Sequence, residues 1–538
     1  MTRQCILPAL AVVLCLSLSL LLAYTKAPWC DEGWFVNPAY DLALHGRMGS
    51  SVLEPTGHFL NAYLRGVQER TYIFMPVHLV ALAGWIRAFG FSALKVRAYS
   101  ACWSALALAA LFFVLRKLFC DPRVAQLAVL FTAVDFIFLC STADGRPEAI
   151  ANCMAISAVA AYLYFRERSM AKAVLASQFF AAAGVFAHPN VFLMVFALAV
   201  LAFYLDRARM KFRYALFAAA PYAIFGLLWS FYILQKPSDF VTQFFPQAGF
   251  SGRWTGIFRP DIAIGTEIVR HLAAYYFSCP SSGVMKWWMA AIPFLYLPAL
   301  FWFLRSRRRL ERTERGFLIF TLALLCGMTF LNGFKQFFYL IYIVPLYDAV
   351  LAAWLLNLWS RSREGRLAGA LIATAFVVLQ LSISVQHIRA DEYHRDFVPT
   401  VRELARDRAE GKSIVGTAAL GFGLGYQGFR DDGRMGMYSG LEPDVLVVDR
   451  SYRAFVRQFA KTEPPVFEHI VRSLSTEYRL ASQHGSFWIF ERVPHGSRMQ
   501  PWIDIGKIDS VEKAGRADYF LRELFFGAKL RDAEESSI

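Results

Sequence analysis

Two adjacent carboxylates, Asp31 and Glu32, stand in CDEGWFVNPAYDLALHG, directly after the first long apolar run. Side by side they repel, which raises the pKa of one and suits a general base working near neutrality. The bland alternative is the solvated start of a loop. Arg146 and Glu148 lie two residues apart in ADGRPEAIA. They read either as a salt bridge capping the next helix or as a substrate-orienting cation beside a second catalytic carboxylate, with Asp144 a weaker competitor. His188, in the turn Ala187-His188-Pro189-Asn190, is a packed polar residue or a donor to a ligand. A divalent metal stays open there, although no partner stands at ligand spacing. Lys335 precedes Phe337, Phe338 and Tyr339. It is a point charge suited to a phosphate, or a lysine snorkelling at a helix end. Asp135 and Asp348 fall inside apolar runs, where a helix–helix hydrogen bond or a protonated acid is the favoured reading. Arg253, Arg259 and His271 are solvated loop residues or contacts to an acceptor or phosphate.

The elements that must position these residues belong to a membrane. The 538 residues are 57% hydrophobic and 16% aromatic with only 18% charged, which excludes a disordered chain, a coiled-coil rod and a disulfide-stapled module. A hydrocarbon core about 30 Å thick asks for about 20 apolar residues per helix. Such runs lie near 5–23, 97–115, 124–141, 149–165, 173–187, 190–205, 214–234, 287–304, 316–331, 337–359 and 367–386. The first is a span or, with Arg3 as a short basic region, a signal peptide.

The net charge of +15 resembles a nucleic-acid footprint until it is located. Residues 1–389 hold 35 Lys/Arg against 18 Asp/Glu, and residues 390–538 hold 21 against 23. Arg3 and the loops carrying Arg116 to Arg123, Arg166 to Lys172, Arg207 to Arg213, Arg305 to Arg315 and Arg361 to Arg366 hold 20 basic and 6 acidic residues. The intervening loops near 142–148, 187–190 and 331–336 hold only Arg146 and Lys335 as bases. This positive-inside pattern expects a multi-pass inner or plasma membrane protein with a cytoplasmic N-terminus, and removes nucleic acid as a partner. The nine cysteines include no CxxC pair, and a Cys30–Cys279 disulfide is conceivable.

The expected fold is therefore mainly α: about eleven transmembrane helices over 1–389, and an extracytoplasmic α/β domain over 390–538. Loops 24–96 and 235–286 lie outside, and Phe35–Leu44 and Met75–Phe89 read as interfacial helices in the first of them. The two short runs around His188 put that turn below the outer surface and expect a cavity opening outward. In the last domain VPTVRELARDRAEGK reads as helix, SIVGTAALG as strand and turn, PDVLVVD as a buried strand and YRLASQHGSFWIFERV as a hairpin.

Several of these segments together resemble a family. The acidic pair in DExWxxxxAxxLxxxG, followed by a helix opening Pro76-Val77-His78 and ending in FGFSALKVRAYSA, is similar to the first outer loop of GT-C-type glycosyltransferases. ADGRPEAIA resembles that family's R-P-D/E segment, AGVFAHPNVFLMV its G-L-A-x-L-T-[KRH]-P segment, and FKQFFYLIYIVPLYDAVLAAW its [RK]-Y-x-L-x-x-x-P helix. Where the family often has Arg-Tyr, this chain has Lys335 and then Phe338-Tyr339. Relatives include lipid A aminoarabinose transferases, protein O-mannosyltransferases and core galacturonosyltransferases.

The resemblance implies transfer of a sugar from a polyprenyl-phosphate donor to an envelope lipid, glycan or protein acceptor on the extracytoplasmic side, with inversion. Such transfer needs a base for the acceptor hydroxyl and cations for the phosphate leaving group. Asp31 is the expected base, with Glu32 and Glu148 as further catalytic candidates. Arg146, His188, Lys335 and Tyr339 are the expected substrate-binding residues. No cofactor is expected with certainty. The rival from another class is a transporter or lipid flippase coupled through Asp135 and Asp348.

Overall fold

The computed structural model describes residues 6–57, 63–250, 255–278, 284–333 and 335–493. Arg253, Cys279 and the end of the expected C-terminal domain, 494–538, lie outside the described residues.

The chain is a multi-pass, mainly helical membrane protein. Among the described residues eight helices are long and apolar enough to cross a membrane, or nine if one bent pair counts as a span. That is fewer than the eleven expected, and the difference has two physical sources. Met170–Val185 is apolar but has only 16 residues, about 24 Å of helix against a 30 Å core. The expected span 337–359 is divided into a 3₁₀ turn, Phe337–Tyr342, and a helix, Val344–Arg361.

The bent pair is Pro122–Val134 followed by Phe136–Thr142, which meet at 60°. Asp135 makes this break. Its own backbone leaves the helical region, and its carboxylate accepts from Ile137 N–H at 2.9 Å and Phe138 N–H at 3.2 Å. One side chain thus ends the first helix and caps the second.

The helices Ile6–Thr25, Ala93–Leu118, Glu148–Phe165 and Met170–Val185 pack in succession and hold a continuous apolar core. Arg213–Ile233 is different: it buries only Pro221, and its Leu, Ile and Phe side chains face outward, as a lipid-facing helix does. The two interfacial helices run over Cys30–His45 and Pro76–Phe89 and pack on each other. Ser92 begins Ala93–Leu118 by accepting from Lys95 N–H.

The C-terminal α/β domain follows the helix Val398–Ala409. Its sheet is β1 (Ile414–Val415), β2 (Val445–Val448), β3 (Tyr478–His484) and β4 (Phe487–Arg492), in spatial order β1-β2-β4-β3. β1 and β2 are parallel, while β4 runs antiparallel to both its neighbours. All four residues of β2 are buried, as expected of a run of Val and Leu covered on both faces. β3 alternates buried and open residues, so the hairpin covers the core with one face. Helices Arg450–Thr462 and Pro464–Thr476 supply the other layer through Tyr452, Phe459, Val466 and Ile470.

Candidate functional site

The neighbours Asp31 and Glu32 open the helix Cys30–His45, and a helix turns about 100° per residue, so they part company at once. Glu32 points inward. Arg97, from Ala93–Leu118, donates to it through Nε at 2.8 Å and Nη2 at 2.7 Å, and Gly145 N–H donates to its Oε1 at 2.8 Å. The remaining Arg97 nitrogen donates to the carbonyls of Ala23 at 2.8 Å and Lys26 at 2.6 Å. Both side chains are completely buried. This is a closed, fully bonded pair that ties the end of the first span, the acidic helix and the 143–147 turn together.

Asp31 goes the other way, to Arg146, with which it forms an ion pair. Arg146 also grips Glu148, from Nε at 3.0 Å and Nη2 at 2.7 Å, so one guanidinium spans two carboxylates. Its flat face lies 3.8 Å from the centre of the Phe338 ring, with Trp29 and Phe35 at 5.3 and 5.2 Å. Stacking of this kind is a reason for Arg rather than Lys here. Arg146 and Glu148 are closed off, whereas 23% of the Asp31 side chain stays exposed. Asp31 is the open end of the trio.

His188 completes the group. Its Nε2 lies 3.9 Å from Glu148 Oε1, and its Nδ1 accepts from Asn190 N–H at 3.2 Å. That bond assigns the remaining ring proton to Nε2, facing the glutamate. The turn carrying His188 lies beneath the interfacial helix Pro76–Phe89, where Val77 N–H donates to the Phe186 carbonyl at 2.9 Å. The Tyr339 ring centre is 5.2 Å from that of His188. His78, on the same interfacial helix, is buried near Glu148; burial pushes its imidazole down to about 4, so it is neutral.

Lys335 is elsewhere. It donates to Glu267 Oε2 at 2.8 Å and to the carbonyls of Met328 and Thr329 at 2.5 and 2.7 Å. Glu267 also pairs with Arg270 and stands 3.5 Å from His271 Nδ1, all three on the helix Pro260–Ser278. His271 Nε2 lies 3.3 Å from the Tyr347 hydroxyl. Arg270 is 3% exposed, yet its Nε and Nη1 have no hydrogen-bond partner among the described residues. Two buried, unpaired N–H directions on a cation make an anion-binding edge.

Asp144 accepts from Lys26 at 2.6 Å and is a local pair. Asp348 accepts from Thr132 at 2.8 Å and Tyr296 at 3.0 Å, and Asp135 accepts from Tyr275 at 2.8 Å. Both mid-membrane acids are thus bonded between helices. Among the described residues no three His, Cys, Asp or Glu side chains gather in a geometry that could hold a metal ion.

No protein-family model and no curated protein matches the sequence. Solved structures do match the fold. ArnT from Cupriavidus metallidurans bound to undecaprenyl phosphate superposes with a TM-score of 0.54 at 12% identity, over 92% of this chain and 98% of that one. The Archaeoglobus fulgidus oligosaccharyltransferase, in complex with zinc and sulfate, superposes with a TM-score of 0.55 at 13% identity, over 91% and 74%. The fold is that of the GT-C glycosyltransferases. AglB from the same archaeon, in complex with an inhibitory peptide and a dolichol-phosphate, gives 0.54 at 12% identity, over 93% and 76%.

Within this GT-C fold, five of the seven residues singled out from the sequence meet: Asp31, Arg146, Glu148, His188 and Tyr339. Glu32 and Lys335 do not join them. Glu32 is locked to Arg97, and Lys335 belongs to the cluster of Glu267 and Arg270. Arg270 and Glu267 escaped the sequence reading, although Glu267, Arg270 and His271 stand at i, i+3 and i+4, on one helical face. His78 was visible only as part of a motif.

Proposed function

We propose that this chain is a membrane glycosyltransferase. It takes a sugar from a polyprenyl-phosphate donor and gives it to a hydroxyl of an envelope lipid, glycan or protein on the extracytoplasmic side. The observation that carries this reading is the open carboxylate of Asp31, held beside a buried Arg146–Glu148 pair within a GT-C fold. Asp31 is the general base: it takes the proton as the acceptor oxygen attacks the anomeric carbon. The lipid phosphate leaves from the opposite side, and the anomeric centre inverts.

Arg146 fixes the direction of the Asp31 carboxylate, and Glu148 with His188 orients the sugar. The unpaired guanidinium edge of Arg270 and the charge of Lys335 receive the phosphate, whose negative charge grows as the bond breaks. Support for a polyprenyl phosphate comes from the undecaprenyl phosphate bound to ArnT and the dolichol-phosphate bound to AglB. Glu32 serves the scaffold rather than the chemistry. The basic loops support a cytoplasmic N-terminus and an inner or plasma membrane location.

The test compares envelope glycolipids and glycans by mass spectrometry in cells that carry wild-type protein, Asp31→Asn or no protein. The wild type restores a sugar modification that the deletion loses. Asp31→Asn folds but does not restore it; full restoration by that variant sinks the mechanism.

A further inference from the structure

The first turn of the acidic helix is held from the far end of the sequence. Gly33 lies so close to the C-terminal domain that a Cβ there would meet the Ala418 carbonyl carbon at 2.4 Å. One residue on, Trp34 Nε1–H donates to Asp431 Oδ2 at 2.8 Å, and the Trp34 ring stacks on Phe455 at 6.1 Å. The same Oδ2 accepts from Ala418 N–H at 2.7 Å, and Oδ1 accepts from the Tyr452 hydroxyl at 2.9 Å. The Asp431 backbone adds a short parallel bridge to the first loop: its N–H donates to Val52 O at 2.8 Å, and its carbonyl accepts from Glu54 N–H at 2.9 Å. Asp431 is 2% exposed and Trp34 6%. A single buried carboxylate thus joins the 3₁₀ turn Ala418–Leu420, the helix Arg450–Thr462 and the helix Cys30–His45 that carries Asp31.

We propose that Asp431 is a positioning residue for Asp31: through Trp34 it clamps the Cys30–His45 helix, so that the Asp31 carboxylate stays at the Arg146 guanidinium. This rests on the reading of Asp31 as the base. It gives the C-terminal domain a task at the membrane site, although it adds no group to the chemistry. Trp34 stands one turn from Asp31 on a rigid helix, so loosening its bond swings the carboxylate. A displacement of about 1 Å at a reacting group costs up to about a hundredfold in rate.

The experiment uses full-length protein in proteoliposomes. The donor is the polyprenyl-phosphate-sugar fraction extracted from the source cells' membranes, and the acceptor is their lipid extract. Turnover per folded molecule, donor KM and melting temperature are measured for the wild type and for Asp31→Asn, Asp431→Asn, Asp431→Ala and Trp34→Phe. An Asn oxygen still accepts from Trp34 and Ala418, and its NH2 can donate to the Tyr452 oxygen, so Asp431→Asn retains turnover within about twofold. Asp431→Ala and Trp34→Phe lose about tenfold or more in kcat with donor KM little changed, and a variant that combines Asp431→Ala with Trp34→Phe loses little further.

Wild-type turnover per folded molecule in both Asp431→Ala and Trp34→Phe overturns the clamp. So does an Asp431→Asn variant as inactive as Asp31→Asn, because the carboxylate would then act directly. Trp34→Phe keeps the proposal testable if Asp431→Ala fails to fold. A fully active Asp31→Asn overturns the base and the clamp together. An inactive Asp31→Asn with a normal Trp34→Phe and Asp431→Ala overturns the clamp alone.

Discussion

Two arginine–carboxylate groups are built on adjacent residues of one helix, and they differ in how completely they are satisfied. In the Glu32–Arg97 pair one cation meets one anion, all three of the guanidinium's nitrogens have partners, and nothing is exposed. In the Arg146 group one cation serves two carboxylates, aromatic rings cover its face, and Asp31 opens outward. A closed pair holds elements together and has no capacity left for a ligand. An open one is held in place and still has a lone pair to offer. Adjacent, chemically equivalent acids therefore take different tasks because of the direction in which the helix sends them.

The contrast predicts opposite outcomes for substitutions one residue apart. Removing Arg97, as in Arg97→Ala, strands a buried glutamate and costs about 3–5 kcal/mol of stability. This will read as loss of folded protein in detergent, and a stable, active variant would break the comparison. Asp31→Asn leaves the melting temperature close to wild type and lowers kcat by about 10²–10⁴. A large fall in stability with residual turnover would assign Asp31 to the scaffold instead. Arg270→Ala acts more mildly: losing one charge-assisted phosphate contact weakens donor use by about tenfold, seen as a raised donor KM. An unchanged KM would remove the guanidinium edge from the donor site.

The smallest effect concerns a carboxylate held only by neutral donors. Burial pushes Asp431 up to about 7, against 3.8 in the unfolded chain; hydrogen bonds from Trp34, Ala418 and Tyr452 pull it back, and nearby Asp449 raises it further. The folded form therefore keeps its proton between about pH 4 and 7 while the unfolded form has lost it. Stability falls as pH rises across that window and levels off above about 7. Asp431→Asn has nothing to titrate, so its melting temperature should gain on the wild type from pH 5 to pH 8. Parallel curves would mean that Asp431 does not change protonation on folding.

Much of this architecture was legible beforehand. Apolar runs and basic loops located most of the membrane helices, and the acidic pair, Arg146, Glu148 and the His188 turn were conspicuous because charged residues are scarce at membrane depth and in the short intervening loops. The bland reading of Asp135 and Asp348 also stands, since each is bonded between helices. Legibility ended where the outcome depended on partners distant in sequence. Asp135 could be seen as a buried acid, but not as the residue that bends its span, because that follows from its bonds to Ile137, Phe138 and Tyr275. Arg270, within the expected outer loop 235–286, drew no notice, because only packing buries it with two nitrogens unpaired among the described residues.

Composition and periodicity by themselves determined that this chain lies in a membrane, most of the segments that cross it and which few charges deserve notice. These are properties of local hydrophobicity, and local sequence carries them. Which of two neighbouring carboxylates is closed and which open was decided only in three dimensions. Arg97 lies 65 residues from Glu32, and Asp431 lies 397 residues from Trp34. A side chain's task depends on what burial brings within about 3 Å of it, and no spacing in the sequence records that distance.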